Sequence, residues 1–415
     1  MAAIAALALT GAAVAPTPAQ SASAPAPCPE SYPVADLTAG QPVHGLTVSS
    51  GVTPEGFTGE VLGVLKDGIA PGLDMIIMRL TSPEIDRVGG IWAGMSGSPV
   101  YAEDGRIIGA VSYGLSWGSS PVAGVTPFDD MDNYVAPSLP KVQVSDAMAR
   151  KIAKAAGVTA EQAGQGLTEL RVPSGIAGVR QYRLESYKKN RSYIPQGAQS
   201  VSGTRGGATA ADIVDGGNLG LTSVYGDVTA GGVGTVTAVC GDRVIGFGHP
   251  AYFNGKSTAM LNPAEAIYVQ EDPTWGAFKV ANPADPAGTI TDDHLAGITG
   301  TLGVLPATTA LSSTVSYGAS SRTGVGQIAV PNFSAAATYY AIVGNHDRVI
   351  DAYQGGSELS TWTVSGTDPN GDPFSIDMAE RYRDTSDIAW TVPWDVADMV
   401  WPSPTSQTSR WTPSR

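Results

Sequence analysis

The sequence predicts a mainly β protein, and three observations carry that expectation. Short runs of Val, Ile, Thr and Tyr recur along the chain, punctuated by Gly, Pro, Asn and Asp. Glycine and proline number 51 and 30 of 415 residues, which favours turns. Few stretches show the 3.6-residue apolar period of a helix. With 42% hydrophobic and only 15% charged residues, the chain can bury a large core or several smaller ones, so two or three domains are expected.

Residues 1–24 are alanine-rich and apolar at first, then pass through Pro16 and Pro18 to the small-residue site Ala22-Ser23-Ala24. They read as a secretory signal without the usual positive start, and export to the cell envelope or beyond is expected. Cys28 lacks a lipobox context, which argues against a lipid anchor. No other stretch is long and apolar enough to span a bilayer. Cys28 and Cys240 are the two cysteines, and in an exported chain they can join, although Cys240 also fits a small buried residue.

Residues 33–135 hold strand candidates at Gly59–Leu65, Asp74–Leu80, Val100–Tyr101, Ile107–Tyr113 and Val122–Pro127, enough for one barrel. Asp104-Gly105 is a hairpin signal that sets the strands on either side antiparallel. Residues 136–215 read as a basic connector, with a helix from Ser145 as N-cap to Gly157 as stop. From Lys141 to Arg191 there are ten basic and four acidic side chains, about +6 in a chain of net −14. That segment is either a basic face for an acidic envelope partner or, the plainer reading, a solvated connector across an acidic body. Nucleic acid does not suit an exported acidic chain.

Residues 216–306 resume the strands at Leu221–Tyr225, Gly234–Val239, Arg243–Phe247, Ala266–Gln270 and Gly297–Val304. Residues 307–401 add a β region through Ser312–Tyr317, Gly326–Val330, Thr338–Val343 and Leu359–Val364. A Pro393-interrupted helix comes next within Ser386–Val400, where Trp390 and Trp394 pack. Residues 402–415 read as a mobile tail.

The chemistry concentrates in Gly94-Met95-Ser96-Gly97-Ser98-Pro99. A serine hydroxyl needs a nearby base and backbone N–H groups aimed at a developing oxyanion, and flanking glycines suit that geometry. The competing reading is an ordinary tight turn. Of the histidines at 44, 249, 294 and 346, His249 lies among small residues at the end of a β run, in Gly246-Phe247-Gly248-His249-Pro250. The four share no short metal-binding spacing, and there is no phosphate-binding glycine loop, so neither metal nor cofactor is expected.

Gly90–Tyr101 resembles the serine segment of the SpoIVB-type peptidases of bacterial sporulation, within the chymotrypsin-like clan. Gly234-Thr235-Val236-Thr237 with Val244–Pro250 is similar to the family's histidine segment, and Gly288–Pro306 to the stretch C-terminal to that histidine. The likeness covers about half the chain. In the sporulation members the histidine half comes first, whereas here Ser96 precedes His249, and no peptide-docking module lies between the matching regions. The resemblance implies two chymotrypsin-like half-barrels in exchanged order with a C-terminal β extension, and catalysis by geometry and not chain order. It implies Ser96 as nucleophile, His249 as general base and the N–H groups of Gly94 and Ser96 as oxyanion hole. Asp293 is the first choice for the third residue, with Asp86 and Asp227 as rivals; Asp242 reads as a hairpin residue. The expected function is limited proteolysis of a protein or peptide substrate by a secreted serine endopeptidase. The alternatives are a non-catalytic envelope scaffold that keeps the fold, and a peptidase that chiefly cuts itself.

Overall fold

The computed structural model describes residues 27–115, 118–133, 144–184, 206–274 and 276–400. The expected signal at 1–24 and tail at 402–415 lie outside the described residues. Strand β1 (Pro42–Thr47) alternates exposed and buried positions, as one face of a sheet requires. It pairs with the long β2 (Glu55–Ala70), which runs on through β3 (Leu73–Thr81), and the register of that pair shifts near Gly63. Strands β4 (Pro99–Ala102), β5 (Ile107–Leu115) and β6 (Val122–Pro127) complete the order β4-β1-β2-β3-β6-β5, and pairing of β4 with β5 closes a six-stranded barrel. The Asp104-Gly105 turn joins β4 to β5 antiparallel, as expected. Helix α1 (Pro83–Val88) sits between β3 and β4, capped by the Ser82 side chain and ended by left-handed Gly89. The short α2 (Phe128–Asp132) succeeds β6.

The connector holds α3 (Asp146–Ala156), capped by Ser145 and stopped by left-handed Gly157 as the sequence predicts. It continues through α4 (Ala160–Gly164) to two short strands, β7 (Leu167–Glu169) and β8 (Ser174–Ala177). Its parts at 134–143 and 185–205 lie outside the described residues.

The second barrel is built from β9 (Asn218–Gly226), β10 (Thr229–Cys240), β11 (Arg243–Gly246), β13 (Met260–Asn262), β16 (Gly288–His294) and β17 (Gly297–Leu302). The order is β9-β13-β16-β17-β11-β10, closed by β9 on β10, with β12 (Gly255–Lys256) beside β16. Ala266–Gln270 does not join this barrel. It belongs to β14 (Ala264–Gln270), which forms a separate two-stranded sheet with β15 (Phe278–Pro283) and bridges to Gly51 through Ala266. Asp292 and Asp293, which as neighbouring aspartates suggest a turn, lie inside β16.

Between the barrels, Ile107, Ala110, Phe128 and Met131 of the first meet Ala238, Ile245 and Ala296 of the second in one buried cluster. Each large apolar side chain fully buried there contributes roughly 1.5–3 kcal/mol. The disulfide Cys28–Cys240 spans 212 residues and ties the start of the described chain to the end of β10.

After β17, β18 (Thr309–Tyr317) and β19 (Ser320–Ile328) extend the second sheet from β9. The expected strand Thr338–Val343 is instead part of α5 (Ser334–Ile350). Its β-branched and aromatic residues favour a strand locally, but Ala335, Ala336, Ala337, Tyr339, Tyr340 and Val343 are all buried, a nearly all-round burial that hides helical periodicity. A hairpin of β20 (Gly356–Thr367) and β21 (Pro373–Asp384) precedes α6 (Ile388–Met399), which contains Pro393. Trp390 and Trp394 pack edge to face on each other, and both lie against Tyr339.

Closing so long a loop should stabilise the fold by up to about 5 kcal/mol through the unfolded chain. The double substitution Cys28→Ser/Cys240→Ser is therefore expected to lower the urea midpoint with the barrels still formed, as read by circular dichroism. An unchanged midpoint would show that the bridge constrains nothing.

Candidate active site

The loop that carries Ser96 leaves the first barrel between α1 and β4 and is received by the second. Thr235 N–H donates to the Ser96 carbonyl at 2.7 Å, Thr235 Oγ1 to the Gly94 carbonyl at 3.0 Å, and Thr237 Oγ1 to the Gly97 carbonyl at 2.8 Å. On its other side β15 and the residue before it grip the loop, with Ala93 N–H donating to the Ala277 carbonyl and Lys279 N–H to the Ala93 carbonyl. Gly97 is obligatory here. Its φ is +97°, and a Cβ would fall 1.9 Å from the Thr235 carbonyl oxygen.

The histidine arrives from the second barrel on a strained turn. Phe247 has φ +67° and Gly248 φ +69°, so two consecutive residues are left-handed at the end of β11. Thr126 Oγ1, from β6 of the first barrel, donates to the Gly248 carbonyl at 2.6 Å and pins that turn across the interface. The result brings two residues 153 apart in sequence together: His249 Nε2 lies 2.8 Å from Ser96 Oγ.

The opposite ring nitrogen decides the tautomer. His249 Nδ1 is 2.7 Å from the Pro250 carbonyl oxygen, which can only accept, so the ring proton sits on Nδ1. Nε2 is left with a lone pair for the Ser96 hydroxyl proton, as a general base requires. Burial pushes the imidazole down to about 4, with the Pro250 contact acting weakly in the other direction, so His249 is neutral at pH 7. Ser96 and His249 are each only 1% exposed.

Asp293 is near this pair but not on the ring. Its Oδ1 accepts from Ala251 N–H at 2.8 Å, and its Oδ2 from Tyr252 N–H at 2.8 Å and Asn254 N–H at 3.3 Å. The position expected for a triad carboxylate is taken by a backbone carbonyl, and Asp293 fixes the loop that presents it. This corrects the expected role: Asp293 is a positioning residue. Burial raises its carboxyl above the usual carboxylate range, and the three N–H donors offset only part of that. The rivals are elsewhere engaged, Asp86 with Thr81 and Asp227 with Arg322, and Asp242 lies in the β10–β11 hairpin.

The N–H groups of Gly94 and Ser96 have no backbone or side-chain acceptor among the described residues, while those of Met95, Gly97 and Ser98 are all bonded. Two free donors on a buried loop beside the hydroxyl are what an oxyanion hole needs. Against Gly94 lies the stem of a buried lysine that the sequence does not single out. Lys279 is 1% exposed, donates from Nζ to Asn218 Oδ1 at 2.8 Å, and is pushed down to about 7 by burial.

The other histidines are occupied outside the site: His44 stacks on Tyr101, His294 faces Asp292 at 3.3 Å and His346 bonds Glu358 at 2.8 Å. Among the described residues no group of three or more His, Cys, Asp or Glu side chains is placed to hold a metal ion. Comparison with family models, curated proteins and solved structures finds no match for this chain.

Because Asp293 does not touch the ring, Asp293→Asn should slow serine acylation by tens of fold, well short of the ~10⁴-fold that results from loss of a ring-bonding carboxylate; single-turnover kinetics would separate the two. The histidine's burial has a second measurable outcome. The unfolded chain takes a proton on His249 near pH 6.5 and the folded chain only near 4. Folding stability should therefore fall as pH drops through that window, and His249→Gln should remove this part of the loss in urea titrations at pH 7, 5.5 and 4.

Proposed function

We propose that this chain is an exported serine endopeptidase that carries out limited proteolysis, resembling the SpoIVB-type peptidases with its two halves in exchanged order. The observation that supports it most is the 2.8 Å hydrogen bond between Ser96 Oγ and His249 Nε2, made across two barrels by the only tautomer that leaves Nε2 as an acceptor. In the proposed reaction His249 takes the Ser96 proton as Oγ attacks a peptide carbonyl, and the N–H groups of Gly94 and Ser96 hold the oxyanion. The imidazolium then protonates the leaving amine, and water deacylates the enzyme by the same route.

Export is supported by the Cys28–Cys240 bond, since structural disulfides persist in oxidising compartments. Among the described residues no helix is long and apolar enough to cross a membrane. The acidic-partner reading keeps only part of its surface. Arg180 and Arg183 are committed to Asp347 and Asp387, whereas Arg150 and Lys151 are exposed on α3.

The scaffold alternative draws on one observation, the absence of a carboxylate on His249 Nδ1 among the described residues. A fluorophosphonate distinguishes the two readings without a known substrate. After long exposure, wild type should carry one label at Ser96, Ser96→Ala none, and His249→Ala should label at least ~10³-fold more slowly. A folded wild type that never labels would leave the scaffold reading in place.

A further inference from the structure

Ser96 and His249, at 1% exposure, are enclosed by their surroundings, and the connector packs against residues that flank them, Ser112 and Gly94. Strand β7 adds to the edge of β5, with Glu169 opposite Tyr113, and Leu170 N–H donates to the Ser112 carbonyl at 2.9 Å. Three residues on, β8 adds to the edge of β10, with Ser174 opposite Gly232, and Val233 N–H donates to the Pro173 carbonyl at 3.3 Å. Between these anchors the chain passes from one barrel to the other against Gly94, two residues before Ser96. Tyr113, at one anchor, lies edge-on to His249 with 6.4 Å between ring centroids, and Phe247, on the other barrel, lies 6.3 Å from it.

The groove under this strap is shaped by glycines at three points. A Cβ on Gly114 would fall 3.0 Å from Leu170 Cδ2, one on Gly232 2.3 Å from Val172 Cγ1, and one on Gly94 3.1 Å from Pro173 Cγ. Each missing side chain is matched by a strap side chain, and the third contact lies at the loop that carries the oxyanion donors. Arg171, between Leu170 and Val172, is exposed. Main-chain pairing to two free sheet edges, with alternate side chains directed into recesses, is how a peptide is recognised by strand addition. Nothing in that pairing is particular to a covalently attached strand.

We infer that the channel beside Ser96 and His249 is a binding groove for an extended peptide, filled in the resting chain by its own strap Leu167–Ala177. The groove takes an extended segment with medium apolar side chains at the positions of Leu170 and Val172 and a proline or similarly compact residue at that of Pro173. A peptide supplied in trans must displace the strap, so the resting protein is latent. The latency rests on the peptidase reading given above; the occupied groove does not.

The test uses the full chain with Leu170→Asp/Val172→Asp, which alters the strap and leaves every groove residue intact. The probe is a fluorescein-labelled peptide with the sequence of residues 166–178, monitored by anisotropy, with fluorophosphonate labelling of Ser96 in parallel. The strap variant is expected to bind the peptide at least tenfold more tightly than wild type and to label at least tenfold faster, with added peptide slowing its labelling. Equal peptide binding by wild type and variant would overturn the inference. Tight binding by the variant with no labelling of either protein would uphold the groove and sink the peptidase reading instead. Should the aspartates prevent folding, judged by circular dichroism, Leu170→Ala/Val172→Ala must show the same ordering, and its failure to do so counts equally against the strap.

Discussion

The candidate site depends on the grip of β10 on the backbone of Gly94–Gly97. Three of that loop's carbonyls accept from Thr235 and Thr237 at 2.7–3.0 Å, so the serine is located by the second barrel although it is carried by the first. Each such bond is worth about 1 kcal/mol in net stability, but leaving a buried carbonyl unpaired costs more, which makes the docked arrangement hard to relax. The reciprocal bond from Thr126 to the Gly248 carbonyl does the same for the histidine turn. Serine and histidine are thus each held by the barrel that does not carry them. That cross-bracing makes the chain order of the halves immaterial to the dyad.

Parts of this are legible in the sequence, and the reasons differ. Gly94, Ser96 and Gly97 can be read because a loop that turns at φ near +97° against a neighbouring backbone demands glycine, and glycine is visible in a sequence. His249 can be read for a similar reason, since the left-handed Gly248 sets it off from the strand. The Pro250 carbonyl cannot, because a backbone acceptor has no residue type to announce it. Asp293 falls in the expected neighbourhood but makes a different contact. Its spacing from His249 places it near the loop, but which donors it meets depends on the pairing of β16 with β12 and β17. The strap is legible only in part: a connector this long is expected to pack Leu167–Tyr187 on a barrel, but its path across both is set by edges that exist only once both barrels have closed. Helix α5 shows the converse error, where local preference points to a strand and burial on nearly every face decides otherwise.

The same tertiary scaffold governs the electrostatics. His249 and Lys279 both lie almost wholly out of water, and both are pushed toward their neutral forms by burial. For a general base that direction is useful, because a neutral imidazole is ready to accept a proton at any pH above about 4. In the proposed reaction it would also carry a cost, since an imidazolium is disfavoured by the same burial. In a Ser-His-Asp triad a carboxylate on Nδ1 offsets that cost with a full charge. A carbonyl fixes the tautomer but supplies only a dipole.

The strap reconciles these two properties. With the strap in place, burial keeps the imidazole neutral, and Nε2 takes up the Ser96 hydroxyl. Displacing the strap, even by a peptide that restores the strand pairing, briefly opens the groove to solvent and weakens the desolvation that depresses the histidine. An open site is then better able to bear the imidazolium than a closed one. On the proposed peptidase reading, a site with a carbonyl-bonded histidine, a buried resting state and a strap matched to its groove would favour restricted turnover, in which access and not the intrinsic reactivity of the serine determines what is cut.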